Sequence, residues 1–274
     1  MTWLRPAFSI LRINLKRSLQ YRLAAWAQLT TNIFWGFVHA TIIVVFYRYG
    51  QAQAGAEAGM SMAQAVSYVW LGQIVLYLLP MYARDPEIRD KIRNGDVGVE
   101  LIRPLDLYFH WFVRGVAARL GRFLLQLVPV AGIALLLPQP FSLQPPASLA
   151  GLLAAVCSLL LALLLSAAVQ GLIYVLLMQL AWGDGPATLL MLVAEVFSGL
   201  YLPLQLWPDW AQRFLVLQPF AGMIDLPLRF YVGTLAPADF WQVTALQLCW
   251  TVGLTLIGRQ LMQRTLSRLI VQGG

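Results

Sequence analysis

The sequence predicts an all-α, polytopic membrane protein with six transmembrane helices. Charge is scarce: Asp, Glu, Lys and Arg make up 11% of 274 residues, against about 25% in a soluble domain whose surface water must wet. Long uninterrupted apolar runs recur along the chain. Lys and Arg gather in alternate connections between those runs.

The segment 3–22 carries Leu4, Phe8, Leu11, Leu15 and Leu19 at helical spacing, with Arg5, Arg12 and Lys16 on a neighbouring face. That pattern predicts an interfacial helix whose basic side chains reach the headgroups. A helix crosses the hydrocarbon layer in about 20 apolar residues, and lipid-facing loops or open sheet edges are excluded by their unsatisfied backbone groups. Spans are therefore expected at 23–47, 62–82, 119–137, 148–180, 187–206 and 240–258. No charge occurs between Phe123 and Gly183, and Pro138, Pro140, Pro145 and Pro146 divide that tract into two spans. The fourth span exceeds the required length and is expected to tilt or protrude.

Orientation follows from the basic residues, which are enriched in short cytoplasmic loops. With six spans both termini share a side, and that side receives 16 of the 19 Lys and Arg residues; only Arg48, Arg213 and Arg229 fall opposite. Both termini are thus expected in the cytoplasm. The same bias accounts for the net charge of +7, so nucleic acid is not an expected partner. The long basic start followed by a full spanning run is not the pattern of a cleaved signal peptide. Cys157 and Cys249 both fall within spans and suggest neither a disulfide framework nor a metal site.

Residues 84–106 hold 11 of the 31 charged side chains. Within them, "DPEIRDKIRNG" carries the marks of a short helix. Asp85 suits an N-cap, Pro86 the first helical position, and Glu87 the positive end of the dipole. Arg89, Lys91 and Arg93 gather toward the negative end, and Asn94-Gly95 offers a stop. Ile88 and Ile92 share one face. A helix of two turns is marginal alone in water, so packing must hold it, against its own spans or against a partner. A docking element is the preferred reading over a solvated connector.

Enzymatic chemistry finds no support. His39 and His110 are the only histidines and lie far apart, which leaves no metal or nucleophile set. Lys16 and Lys91 are the only lysines and neither follows a glycine, so a P-loop is excluded. Work across a membrane would need energy from a partner or an ion gradient.

The order of features resembles the membrane subunit of an ABC-2 type exporter, of the bacterial kind often encoded as a permease pair with one ATPase. "IRNGDVGVELIRPLD", after the second span, is similar to the family's Ile-x-x-Gly and Leu-hydrophobic-x-Pro-Leu pattern. "FSGLYLPLQLWPDWAQRFLVLQPFAGMIDLPLRFYVG", residues 197–233, is similar to its run of Ser-Gly, Pro-Leu, Pro-x-Trp and Pro-Phe. The resemblance implies one transmembrane domain over residues 1–274, with a cytoplasmic coupling helix in 85–106 and an external hairpin over 203–239 between spans five and six. It also implies two copies of an ABC ATPase, which would bind the ATP and Mg, and a second permease, identical or homologous. This chain itself would bind no cofactor. The location implied is the bacterial inner membrane. On this reading Asp85, Glu87, Ile88, Arg89, Lys91, Ile92, Arg93 and Gly95 form the ATPase-coupling segment, with both isoleucines in an ATPase pocket and Arg89 and Arg93 at its rim. An importer coupling motif is a poorer match, because Val116 stands where it requires Glu and Gly121 comes one residue early.

Two further features are candidates. Glu195 is the sole charge well inside a predicted span. Such a group is costly in lipid and should face protein or water, in the translocation path, at a subunit interface, or in a structural hydrogen bond. Trp207, Trp210, Phe214 and Phe220 make an aromatic outer segment, with Asp209 expected to cap a short helix. It is either a headgroup anchor or an external lid. A secondary transporter or channel without an ATPase is the alternative class.

Overall fold

Every regular element among the described residues is helical. The structure, a computed structural model, describes residues 12–13, 22–49, 59–82, 84–101, 106–180 and 184–267. The interfacial helix expected at 3–22 lies largely outside these residues, as does the stretch 102–105 of the expected coupling region. In chain order the helices are α1 (Arg22–Tyr49), α2 (Met62–Val75), α3 (Pro86–Asn94), α4 (Val97–Leu101), α5 (Leu107–Leu136), α6 (Leu149–Gln179), α7 (Gly185–Phe197), α8 (Asp209–Leu215), α9 (Asp225–Val232) and α10 (Phe240–Leu266).

Among the described residues, four helices are long and apolar enough to cross a membrane: Ala27–Tyr49, Leu107–Leu136, Leu149–Gln179 and Pro237–Leu266. The other two expected spans are shorter than sequence suggests. The second is α-helical only to Val75, tightens into a 3₁₀ turn at Leu76–Leu78 and stops before Pro80. A residue preceding proline is pushed out of the helical region, and Leu79 is extended. The fifth covers 13 residues, about 20 Å at 1.5 Å per residue. It ends where Gly199 turns left-handed, at φ +85°, a conformation glycine adopts without penalty. The third span starts earlier than expected, so that Arg114 and Arg119 lie within a 30-residue helix. The prolines at 138–146 do separate α5 from α6, and the Ser148 hydroxyl caps α6 by accepting from the Gly151 amide.

Helix α6 is the post of the bundle, packing against α5, α7, α9 and α10. Its buried face is rich in Ala, Ser and Gly, and small residues let helices approach closely in a membrane, where water exclusion drives no association. Tyr108 of α5 uses that space. A Cβ at Gly171 of α6 or at Gly258 of α10 would lie 2.7 Å from its ring or hydroxyl. Across the bundle, a Cβ at Gly36 of α1 would lie 2.5 Å from Trp70 of α2, whose indole donates to the Phe141 carbonyl at 2.8 Å.

The segment 203–239 is not uniformly peripheral. Helix α9 packs on α6 and α2. Its first residue, Asp225, is wholly buried and accepts from the Tyr68 hydroxyl and the Leu204 amide, each at 3.0 Å. Its own amide donates to the Ser198 carbonyl. One residue, through its carboxylate and its amide, thereby ties α2, the break after α7 and α9 together.

Candidate functional site

The end signals of α3 appear where sequence places them. The Asp85 carboxylate accepts from the amides of Glu87 and Ile88, Pro86 opens the helix, and Gly95 closes it at φ +78°. What the helix touches differs from expectation. Ile88 is 1% exposed, among Val97, Leu107, Tyr108, Trp111, Tyr174 and Met262 of the same chain, with Ile92 partly buried beside it. The expected insertion of both isoleucines into a partner is corrected: α3 lays its apolar face on the ends of α5, α6 and α10. Burying Ile88 is worth about 1.5–3 kcal/mol, which supplies the packing that so short a helix needs.

Polar contacts fix the flanks. Arg114 of α5 grips the start of α3, with Nε 2.7 Å from Asp85 Oδ2 and Nη2 2.6 Å from Glu87 Oε2. Lys91 donates to Glu87 at 3.0 Å and to Glu100 of α4 at 2.6 Å, and these hydrogen bonds, Glu100 first, raise its pKa. Burial alone would raise the Glu100 carboxyl, but hydrogen bonds from Lys91 and from the Trp111 indole outweigh it and hold the group low. Arg89 pairs with Asp184, just ahead of α7. Pro86, Asp90, Arg93, Asn94, Gly95 and Asp96 remain exposed. Of the eight expected coupling residues, only Arg93 and Gly95 therefore belong to the open face. Asp90 and Asn94 join that face, where an inference that placed the apolar residues outward would not look for them.

Glu195 is 4% exposed and lies near the end of α7. The hydroxyls of Tyr82 and Tyr201 both donate to its Oε1, and the His39 ring stands edge-on to Tyr201 with centroids 5.9 Å apart. It is not the only ionisable group inside the bundle. Arg119 is 1% exposed and donates to Ser166 Oγ at 2.7 Å, Gly115 O at 3.1 Å and Gln170 Oε1 at 3.3 Å. None of these partners is a carboxylate. Ser166 in turn donates to the carbonyl of Leu78, the last residue of the 3₁₀ turn that follows α2. The sequence places Arg119 at the edge of an expected span and Asp225 in the expected external hairpin, not inside the bundle. The available signal was Arg119 inside the span expected at 119–137, four residues ahead of the charge-free tract that starts at Phe123.

In the segment 203–239, α8 turns Ala211 and Leu215 inward while Trp210 and Phe214 are each 74% exposed. Trp207 lies 6.3 Å from the Phe197 ring, and Phe220 packs on the main core. The four aromatics thus do not form one face. Asp209 is the first residue of α8, whose N-cap is Pro208 with no side-chain cap bond. The expected cap is replaced by a charge in the first turn, which still favours the helix dipole.

A family profile described as ABC-2 family transporter protein matches residues 25–273. The chain belongs to that family: it is a membrane transport component, the permease subunit type that associates with ABC ATPases. No curated protein matched it.

Proposed function

We infer that this chain is the membrane half of an ATP-driven exporter, and that the open face of α3 receives a cytosolic ABC ATPase. The observation that carries the reading is the construction of α3 itself. It is capped at both ends, clamped by Arg114, and buries its isoleucine side, so it presents Pro86, Asp90, Arg93 and Asn94 as a rigid, largely charged face. A charged rim of this kind sets register and partner choice, while the fixed mounting transmits displacement to the bundle. Family membership supports the ATPase as occupant. The bias of basic residues supports α3 and both termini lying in the cytoplasm of a bacterial inner membrane.

In this reading six membrane helices, two of them short, form one half of the path. A second permease, identical or homologous, forms the other, and two ATPase copies bind ATP and Mg. Export rather than import is supported by the resemblance of residues 197–233 and by the mismatch of the importer motif at Val116. The test is co-purification of an ABC ATPase with tagged permease. Reversing the exposed charges, Asp90→Lys with Arg93→Glu, should lower ATPase recovery while permease stays in the membrane. Undiminished recovery from the double variant would sink the assignment of this face, and no ATPase even with wild type would sink the ABC reading.

A further inference from the structure

Two contacts tie the α3 segment to one membrane helix at widely separated points. Arg89, on α3, pairs with Asp184 immediately before α7. Tyr82, three residues ahead of the Asp85 cap, donates to Glu195 near the other end of α7. Asp184 and Glu195 are 11 residues apart, about 16 Å along a helix. We propose that α7 is the helix that α3 drives, with Arg89–Asp184 and Tyr82–Glu195 as its two attachment points. The proposal rests on the reading that α3 receives the ATPase.

Three observations on separate elements carry it. Helix α7 has α6 as its main packing partner and leaves Leu189, Leu192 and Val196 exposed, so packing within the chain holds it on one side only. The two polar ties add to the hold that Ala187, Met191 and Ala194 give it in the core. Next, a small cavity lies between α3, α6 and α7, lined by Arg84, Arg89, Gln170, Tyr174, Asp184 and Thr188. Close-packed interiors are not continuously deformable, whereas an ion pair spanning a gap can shift without a clash. Finally, α7 leads directly outward. Tyr201 shares the Glu195 oxygen with Tyr82, and the Ser198 carbonyl accepts from the Asp225 amide. Displacement of α7 thus reaches the outer segment through hydrogen bonds that exist in this structure. Arg114, gripping Asp85 and Glu87 from α5, serves as the fulcrum. Arg89 and Asp184 are positioning residues in this scheme: they carry motion and touch no substrate.

The test uses the permease–ATPase complex in proteoliposomes, in a background lacking Cys157 and Cys249, with a single cysteine at Leu202 just beyond α7. Its reaction rate with a maleimide is measured with and without ATP plus vanadate. In wild type, nucleotide trapping should change that rate. Arg89→Glu and Asp184→Arg should each abolish most of the change while ATPase recovery and ATP hydrolysis persist, and the double swap should restore it. Arg89→Gln and Asp184→Asn repeat the test should a reversed charge misfold. A nucleotide response that survives both single variants, or that wild type itself lacks, overturns the proposal. So does a swap that fails to rescue in a complex with normal ATPase recovery. Failure of the ATPase to bind wild type would instead remove the reading beneath it, and the recovery measurement separates the two.

Discussion

Ile88 and Glu195 show how much one side chain's surroundings alter its reading. A pair of isoleucines among charges looks like bait for a partner, yet Ile88 completes the chain's own cluster beneath α3. Ile88→Ala should therefore cost about 2–5 kcal/mol, the usual range for a buried Ile truncation, read as a lower melting temperature of purified permease. ATPase loss should track loss of folded protein. A fully stable Ile88→Ala permease that no longer holds the ATPase would restore the outward reading. For Glu195, both tyrosine hydroxyls donate to one oxygen, a role that a glutamine carbonyl also fills. Glu195→Gln should leave thermal stability within about 1 kcal/mol of wild type, the scale of one hydrogen bond, whereas Glu195→Leu removes the acceptor both hydroxyls share and should destabilise. Transport lost in a stable Gln variant would then report a need for the charge itself. Equal destabilisation by Gln and Leu would mean that the hydrogen bonding is not as described.

At the scale of elements, α8 and α9 divide the segment 203–239 into an exposed surface and a buried anchor. Trp210→Ala with Phe214→Ala should leave the melting temperature unchanged, because both rings are exposed. Asp225→Ala removes the acceptor shared by Tyr68 and Leu204 and takes from Arg229 its carboxylate partner. Breaking a buried charged contact typically costs about 3–5 kcal/mol, and a loss of that order is expected in the same assay. The reverse ranking would mean that the aromatic helix organises the segment. Local signals were legible here: the caps of α3 and the proline break before α6 follow from residues within a turn of the event. The inward face of α3 was not, because amphipathicity gives a face but not what it meets. The short second and fifth helices were misjudged because hydropathy counts apolar residues regardless of backbone direction. Pro80 and Gly199 held that information.

For the whole molecule, the charge asymmetry makes a topological claim. In a background lacking Cys157 and Cys249, single cysteines at Ala56 and Gln212 should react with an impermeant thiol reagent in intact cells, and one at Asn94 should not. Labelling at Asn94 alone would invert the molecule. The all-α membrane class was legible from composition, because lipid removes the need for a charged surface. The internal charges Arg119 and Asp225 were hidden from that count, since each is satisfied by residues distant in sequence, at Gln170 and Tyr68 respectively. The central claim is that a cytosolic ATPase sits on the open face of α3, and photo-crosslinking tests it most directly. A benzophenone amino acid at Asn94, which is exposed, should crosslink the ATPase in the purified complex, while the same group at Gln212 in the outer segment should not. A complex that retains its ATPase yet gives no crosslink from Asn94, or an equal one from Gln212, would contradict the account.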